Sequence, residues 1–158
     1  MFKPVEKFEM KLFELRDKEV NNYFDIITNQ IRQWSECGAL QRIVLVLKEA
    51  ATGETVERWQ FVVEAEDNPE NMNANTDTKK IGQQIRDVLR QIFASVALLP
   101  TLNSTYSFDL LIYTNKNAAV PEGWDHTGPH LIKNCENIPL KSFSTTVHRV
   151  ESSVTFKR

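Results

Sequence analysis

The sequence predicts an α+β domain, with helices on one face of a mainly antiparallel sheet. Three observations lead there. Two long stretches repeat apolar residues at three- and four-residue steps, the period of a helix with one buried side. Several shorter stretches alternate apolar and polar residues, the period of a half-buried strand. There is no internal repeat and no linker, so the 158 residues read as a single domain, long enough to bury a core without staples.

In chain order, "EKFEMKL" puts Phe8, Met10 and Leu12 on one side and Lys7, Glu9 and Lys11 on the other, a strand. Val20, Tyr23, Phe24, Ile27, Ile31 and Trp34 then form one helical stripe, with Asp17 as its N-cap and Gly38 near its end. "RIVLVLKEAATGETVERWQFVVEAE" reads as a hairpin. The run Ile43–Leu47 is apolar on both sides, as in a strand covered on both faces, and Thr52-Gly53 supplies the turn. Trp59, Phe61 and Val63 alternate on the returning strand. "DNPENMNANTDTK" is polar and reads as a surface loop.

Ile81, Ile85, Val88, Leu89, Ile92 and Val96 mark the core side of a second helix, closed by Pro100, with Gln83, Arg86, Arg90 and Gln91 opposite. "YSFDLLIYT" is a strand with Phe108, Leu110 and Ile112 on one face. "LKSFSTTVHRVESSVTFKR", β-branched on both sides of Glu151-Ser152, predicts a final hairpin.

Charge narrows the function. Lys and Arg total 19 against 21 acidic residues, a formal net charge of −2, so no global cationic excess exists to hold a phosphate backbone. No apolar run approaches membrane-spanning length, and the charged start is not a signal peptide. Cys37 and Cys135 read as reduced thiols of a cytosolic or nuclear protein. Neither direct nucleic-acid binding nor membrane binding is expected.

Chemical motifs are sparse. His126, His130 and Cys135 are zinc-type donors, but their spacing lacks a presenting helix, and the plainer reading is that they are loop residues. Neither cysteine sits in a nucleophile signature, and Gly38, Gly53, Gly82, Gly123 and Gly128 are scattered singly rather than forming a phosphate loop. Catalysis, a cofactor and a metal are therefore not expected. Trp124, within "AAVPEGWDHTGPHLI", is either an anchor pinning its loop or a clamp over a bound segment. Arg90 with Gln91, near apolar Leu98, is either a solvated face or the centre of a protein interface.

"ERWQF" at 57–61, "IRDVLRQIFASVALLP" at 85–100 and "SFDLLIYTNKNAAVPEGW" at 107–124 together resemble the HORMA-domain family, in its spindle-checkpoint branch. "GPHLIKN" and "LKSFSTTVHRV" extend the likeness, and "MFKPVEKFEMKLFELRDKEV" matches more weakly in register. The translesion-polymerase and meiotic-axis branches share the fold, but "ERWQF" and "SFDLLIYT" look more like the checkpoint branch.

The resemblance implies a single HORMA domain over 1–158, with 115–158 as a mobile safety belt. The belt would wrap a partner's extended peptide, which adds as a strand beside Phe108, Asp109, Leu110, Leu111, Ile112 and Tyr113, with Trp124 as belt contact. Pro121, Gly123, Gly128 and Pro129 would give the belt its turns. A belt hairpin at about 140–157 would pair with the "ERWQF" strand when closed and lie against "SFDLLIYT" when open.

Arg90, Gln91 and Leu98 would serve self-association of open and closed copies, Leu98 standing where the family has an aromatic. The implied function is that of a spindle assembly checkpoint adaptor at nucleus, kinetochore and cytoplasm. It would trap motifs of a kinetochore coiled-coil receptor and of the activator of the anaphase-promoting complex, alongside other mitotic checkpoint complex members. An AAA+ remodelling ATPase with a HORMA-like adaptor would recycle it. The alternative is an adaptor of a DNA-repair (translesion polymerase) or meiotic axis complex. The family pattern also places a strand and a long helix ahead of the position of Met1, and a slightly longer tail after "FKR". Without that helix, apolar surface on the two helices and sheet would be exposed. Without the competing strand, the closed arrangement would be preferred.

Overall fold

The computed structural model describes residues 1–65, 78–145 and 147–158. Most of the polar segment expected as a surface loop, up to residue 77, lies outside the described residues, and Thr78 already belongs to a helix.

The chain opens with a two-stranded hairpin, β1 (Phe2–Lys7) and β2 (Met10–Leu15), in antiparallel register from Phe2↔Leu15 to Lys7↔Met10. This corrects the expectation of one strand running through Phe8. Phe8 and Glu9 form the two-residue turn with φ of 53° and 58°, a left-handed pair usually left to Asn-Gly. Contacts to the second helix hold it: Phe8 packs at Gly82, and Glu9 pairs with Arg86.

Helix α1 (Lys18–Glu36) starts where the N-cap places it, with the Asp17 carboxylate accepting from the amides of Glu19 at 2.9 Å and Val20 at 3.1 Å. Gly38, at φ 68°, turns the chain out beyond the Cys37 C-cap. Ile27 and Trp34 are its buried anchors, while Tyr23 and Phe24, expected in the core, are partly exposed.

Strands β3 (Leu40–Glu49) and β4 (Thr55–Ala65) form the predicted hairpin around Gly53. Helix α2 (Thr78–Val96) buries Val88 and Ser95; Val96, expected inside, is exposed, and the Ser95 hydroxyl donates to the Ile92 carbonyl instead. Arg86, expected on the solvent side, is mostly covered by its contact with the β1–β2 turn.

Then follow β5 (Tyr106–Thr114), β6 (Cys135–Pro139), β7 (Phe143–Ser144) and β8 (His148–Lys157). The main sheet runs β5-β3-β4-β8-β6, with β7 also on β8, and every pairing is antiparallel. The expected turn at Glu151-Ser152 is not there. Both lie inside β8, because Ser152, Val154 and Phe156 continue a single buried face against β4. β8 returns instead against β6 and β7.

The sheet has two unlike faces. On one, Phe108 stacks on Phe24 of α1 at 5.9 Å between ring centroids, and Trp59, Val154 and Phe156 are buried. On the other, Val44, Val46 and Leu111 form the densest cluster, with Tyr113 packed against it. On β5, Phe108 is 41% exposed and Leu111 is buried. Covering is uneven along β3 too: Val44 and Val46 are fully buried, whereas Ile43, Leu45 and Leu47 are only half-buried. Phe13 of the N-terminal hairpin, Ile26 of α1, Phe93 and Val96 of α2, and Leu98 just beyond α2 are exposed apolar side chains. Cys37 and Cys135 are free thiols.

Candidate functional site

One edge of the sheet is β5, bonded on one side to β3; among the described residues no strand pairs with its other side. An unpaired edge displays backbone donors and acceptors to any extended chain. Here that edge faces a cavity of about 250 Å³, lined by Leu110, Leu111, Ile112 and Tyr113 on one wall and by residues 124–129 on the other. The second wall belongs to the segment joining β5 to β6.

That segment runs from one edge of the sheet to the other and is fastened on both faces. On the helix side, the indole N–H of Trp34 donates to the Ala119 carbonyl at 3.1 Å, and Trp124 meets Trp34 edge-on at 4.9 Å between centroids. Gly123 adopts φ 88° just before that tryptophan. Gly128 carries no left-handed φ; the later left-handed residues are His130 and Asn134, so the predicted turn residues are only partly the ones used.

On the opposite face, Arg58 of β4 donates from Nε to the Pro129 carbonyl at 3.2 Å. Its other nitrogens reach Gln60 Oε1 at 2.9 Å and the Tyr113 hydroxyl at 3.1 Å. Arg42 also donates to Gln60, and its guanidinium lies 5.1 Å from the Tyr113 ring centroid, a cation–π distance. Arg58 is 8% exposed, so these are desolvated, charge-assisted bonds. One guanidinium thus ties together the crossing segment, β5 and β4.

Beyond the crossing, β6 and β8 are built onto β4, with Glu57↔Phe156, Trp59↔Val154 and Phe61↔Ser152 in register. The C-terminal strand therefore pairs with the strand carrying "ERWQF" and, among the described residues, not with β5.

The predicted residues separate into two places. Leu110, Leu111, Ile112, Tyr113 and Trp124 come together around the cavity. Phe108 and Asp109 lie further along β5, Phe108 against Tyr23 and Phe24, and Asp109 paired with Lys48 at 2.5 Å. The Tyr23 phenol is held above its ordinary pKa by burial and by the Asp109 carboxylate, with the Leu110 backbone opposing them. Trp124 anchors its loop on Trp34, and it also lines the cavity.

Arg90 on α2 and Leu98 just beyond its end are exposed, while Gln91 is half-buried and accepts from the Lys141 amide. His126 lines the cavity and His130 Nε2 lies 3.0 Å from Thr127 Oγ1; among the described residues no three His, Cys, Asp or Glu cluster as metal ligands. Arg58 and Trp34 went unpredicted as site residues. For Arg58 the signal was a lone cation in β4 set opposite the apolar run Ile43–Leu47 of β3.

A family profile for the HORMA domain matches residues 2–154. The chain is 40% identical over 158 residues to the mitotic spindle assembly checkpoint protein MAD2A of Mus musculus, covering 99% of this chain and 77% of that protein. Its fold superposes with a TM-score of 0.91 at 32% identity on a chain of a crystal structure of the mitotic checkpoint complex, covering 99% of this chain and 84% of that one. It also superposes at 0.78, with 12% identity, on C. elegans HTP-2 bound to the HIM-3 closure motif, covering 99% of this chain and 78% of that one, a likeness of fold alone.

Proposed function

The chain belongs to the HORMA-domain family, and on that premise we propose that it is a spindle assembly checkpoint adaptor that captures extended peptide motifs. The guest strand adds to the open edge of β5, and the belt, residues 115–158, closes over it with its stretch 115–134 crossing the guest. The reading rests most on one observation: an unpaired strand edge faces a cavity whose outer wall is pinned at Ala119, Trp124 and Pro129. Four β5 residues line that cavity, which corresponds to roughly 13 Å of extended chain at about 3.3 Å per residue.

Backbone pairing along β5 supplies affinity that tolerates varied sequences, and the cavity's alternating walls supply selectivity. A belt that passes around its guest must detach before the guest leaves, so release is slow and the state persists without any covalent step. The guests are a motif of a kinetochore coiled-coil receptor and a motif of the anaphase-promoting complex activator. Capture of the second holds that activator away from its complex. Exposed Arg90 on α2 and Leu98 just beyond it, with neighbouring Gln91, are the proposed self-association face, and an AAA+ ATPase acting through a HORMA-like adaptor detaches the belt.

Isothermal titration of the purified chain with three peptides tests this. Checkpoint receptor and activator motifs should bind, and a meiotic closure motif should not. Retention of the meiotic motif alone would move the protein to the meiotic branch, and failure to bind any of them would remove the capture reading.

A further inference from the structure

The sheet edge opposite β5 carries a second, smaller piece of construction. From the end of β6 through β7, backbone amides donate in two directions. The amide of Leu140 turns inward to the Ser152 carbonyl of β8 at 2.8 Å, and that of Thr145 to the His148 carbonyl at 2.7 Å. The amides of Lys141 and Ser144 point the other way, and each meets a glutamine of α2: Lys141 N–H donates to Gln91 Oε1, and Ser144 N–H to Gln84 Oε1 at 3.1 Å.

The spacing is matched. Gln84 and Gln91 are seven residues apart, two helical turns and about 10.5 Å along the axis. Three residues of extended chain, Lys141 to Ser144, span about 10 Å. Val88, buried between the two glutamines, holds that face of α2 against the protein.

We propose that Gln84 and Gln91 are a two-point latch that positions the docked belt, satisfying the edge amides of Lys141 and Ser144 only when β8 is paired with β4. A free strand edge recruits other chains, and covering it with helix-borne acceptors stops the sheet at this point. The latch also commits the acceptor oxygen of Gln91 within the chain while the belt is docked. The inference builds on the belt reading, because it concerns what holds the belt closed rather than what the belt encloses.

Amide exchange of the full chain, without peptide, tests it. Gln91→Met keeps the length of the side chain and removes the acceptor, and Gln91→Glu keeps an acceptor; Gln84 is treated in the same way. Each methionine variant should speed exchange at its own partner amide, Lys141 for Gln91 and Ser144 for Gln84, by roughly 2- to 12-fold, the range of one net hydrogen bond. The Leu140 amide should stay protected, and the glutamate variants should exchange like the parent. Unchanged exchange at Lys141 and Ser144 in the methionine variants would overturn the latch, as would glutamate variants as fast as methionine ones. Because no peptide is present, a chain that binds no motif yet shows this pattern keeps the latch and loses only the capture reading.

Discussion

Arg58→Lys separates the pin that holds the belt from the strand that receives the guest. Lysine keeps the charge and the aliphatic stem, but one ammonium cannot donate along the guanidinium's separate directions to Pro129, Gln60 and Tyr113. A hydrogen bond from a charged donor contributes about 1.5–3 kcal/mol net. Of these three bonds, the one to the Pro129 carbonyl reaches the stretch of belt that crosses the sheet edge, so that stretch loses about that amount of its docking. At 1.4 kcal/mol per factor of ten, release of a trapped peptide should accelerate roughly 10- to 150-fold. The assay preloads the chain with a fluorescent receptor-motif peptide and follows anisotropy after a chase with unlabelled peptide. Tyr113→Phe is the companion. It removes one Arg58 partner and leaves Pro129 held, so its release should stay within about threefold of the parent. Equal release rates for Arg58→Lys and the parent would refute the pin.

Trp124→Ala removes a half-buried indole and its edge-on contact with Trp34. About 100 Å² of lost burial at about 25 cal/mol per Å², with about 1 kcal/mol for the ring pair, predicts a loss of about 3.5 kcal/mol in chemical denaturation, and Trp124→Phe should recover part of it. Asp17→Ala leaves the amides of Glu19 and Val20 without their cap and should cost about 1 kcal/mol in urea melts. Acid should also destabilise the fold through two carboxylates. Glu14 is held below its ordinary pKa of 4.5 by its bond to Lys3, and Glu49 below the same value by its bonds to the hydroxyls of Thr52 and Ser104. A depressed folded-state pKa stabilises above the unfolded value and loses that share as pH falls through the folded one. Melting temperature followed from pH 7 downward should therefore fall below pH 4.5, and less steeply in a Glu14→Gln, Glu49→Gln double variant.

What could be read in advance was what depends on neighbours in sequence. The Asp17 cap, the stripe ending at Trp34 and the Gly53 turn are local, and the structure has each of them. The misreadings fall where distant contacts override local preference. Phe8-Glu9 has no turn signature, and its left-handed pair stands because Gly82 and Arg86 receive it. Glu151-Ser152 looked like a break in a β-branched run, yet β4 offers a continuous partner and the strand passes straight through. On β5 the alternation could be read but not which face is the more deeply buried, which is set by Leu111 joining the distant Val44 and Val46 cluster. The cavity residues of β5 were found through the family likeness, whereas Arg58 was visible only as part of a motif. Its role emerges when Pro129, seventy-one residues later, arrives at its guanidinium.

The most direct measurement is amide exchange across residues 107–114 and 148–157, with and without a bound receptor-motif peptide. Peptide should protect the β5 amides that face away from β3, while those of β8 stay protected against β4 in both samples. Tight binding with no added protection on β5, or a β8 whose protection moves from β4 to β5 when the guest is present, would contradict strand capture under a closed belt.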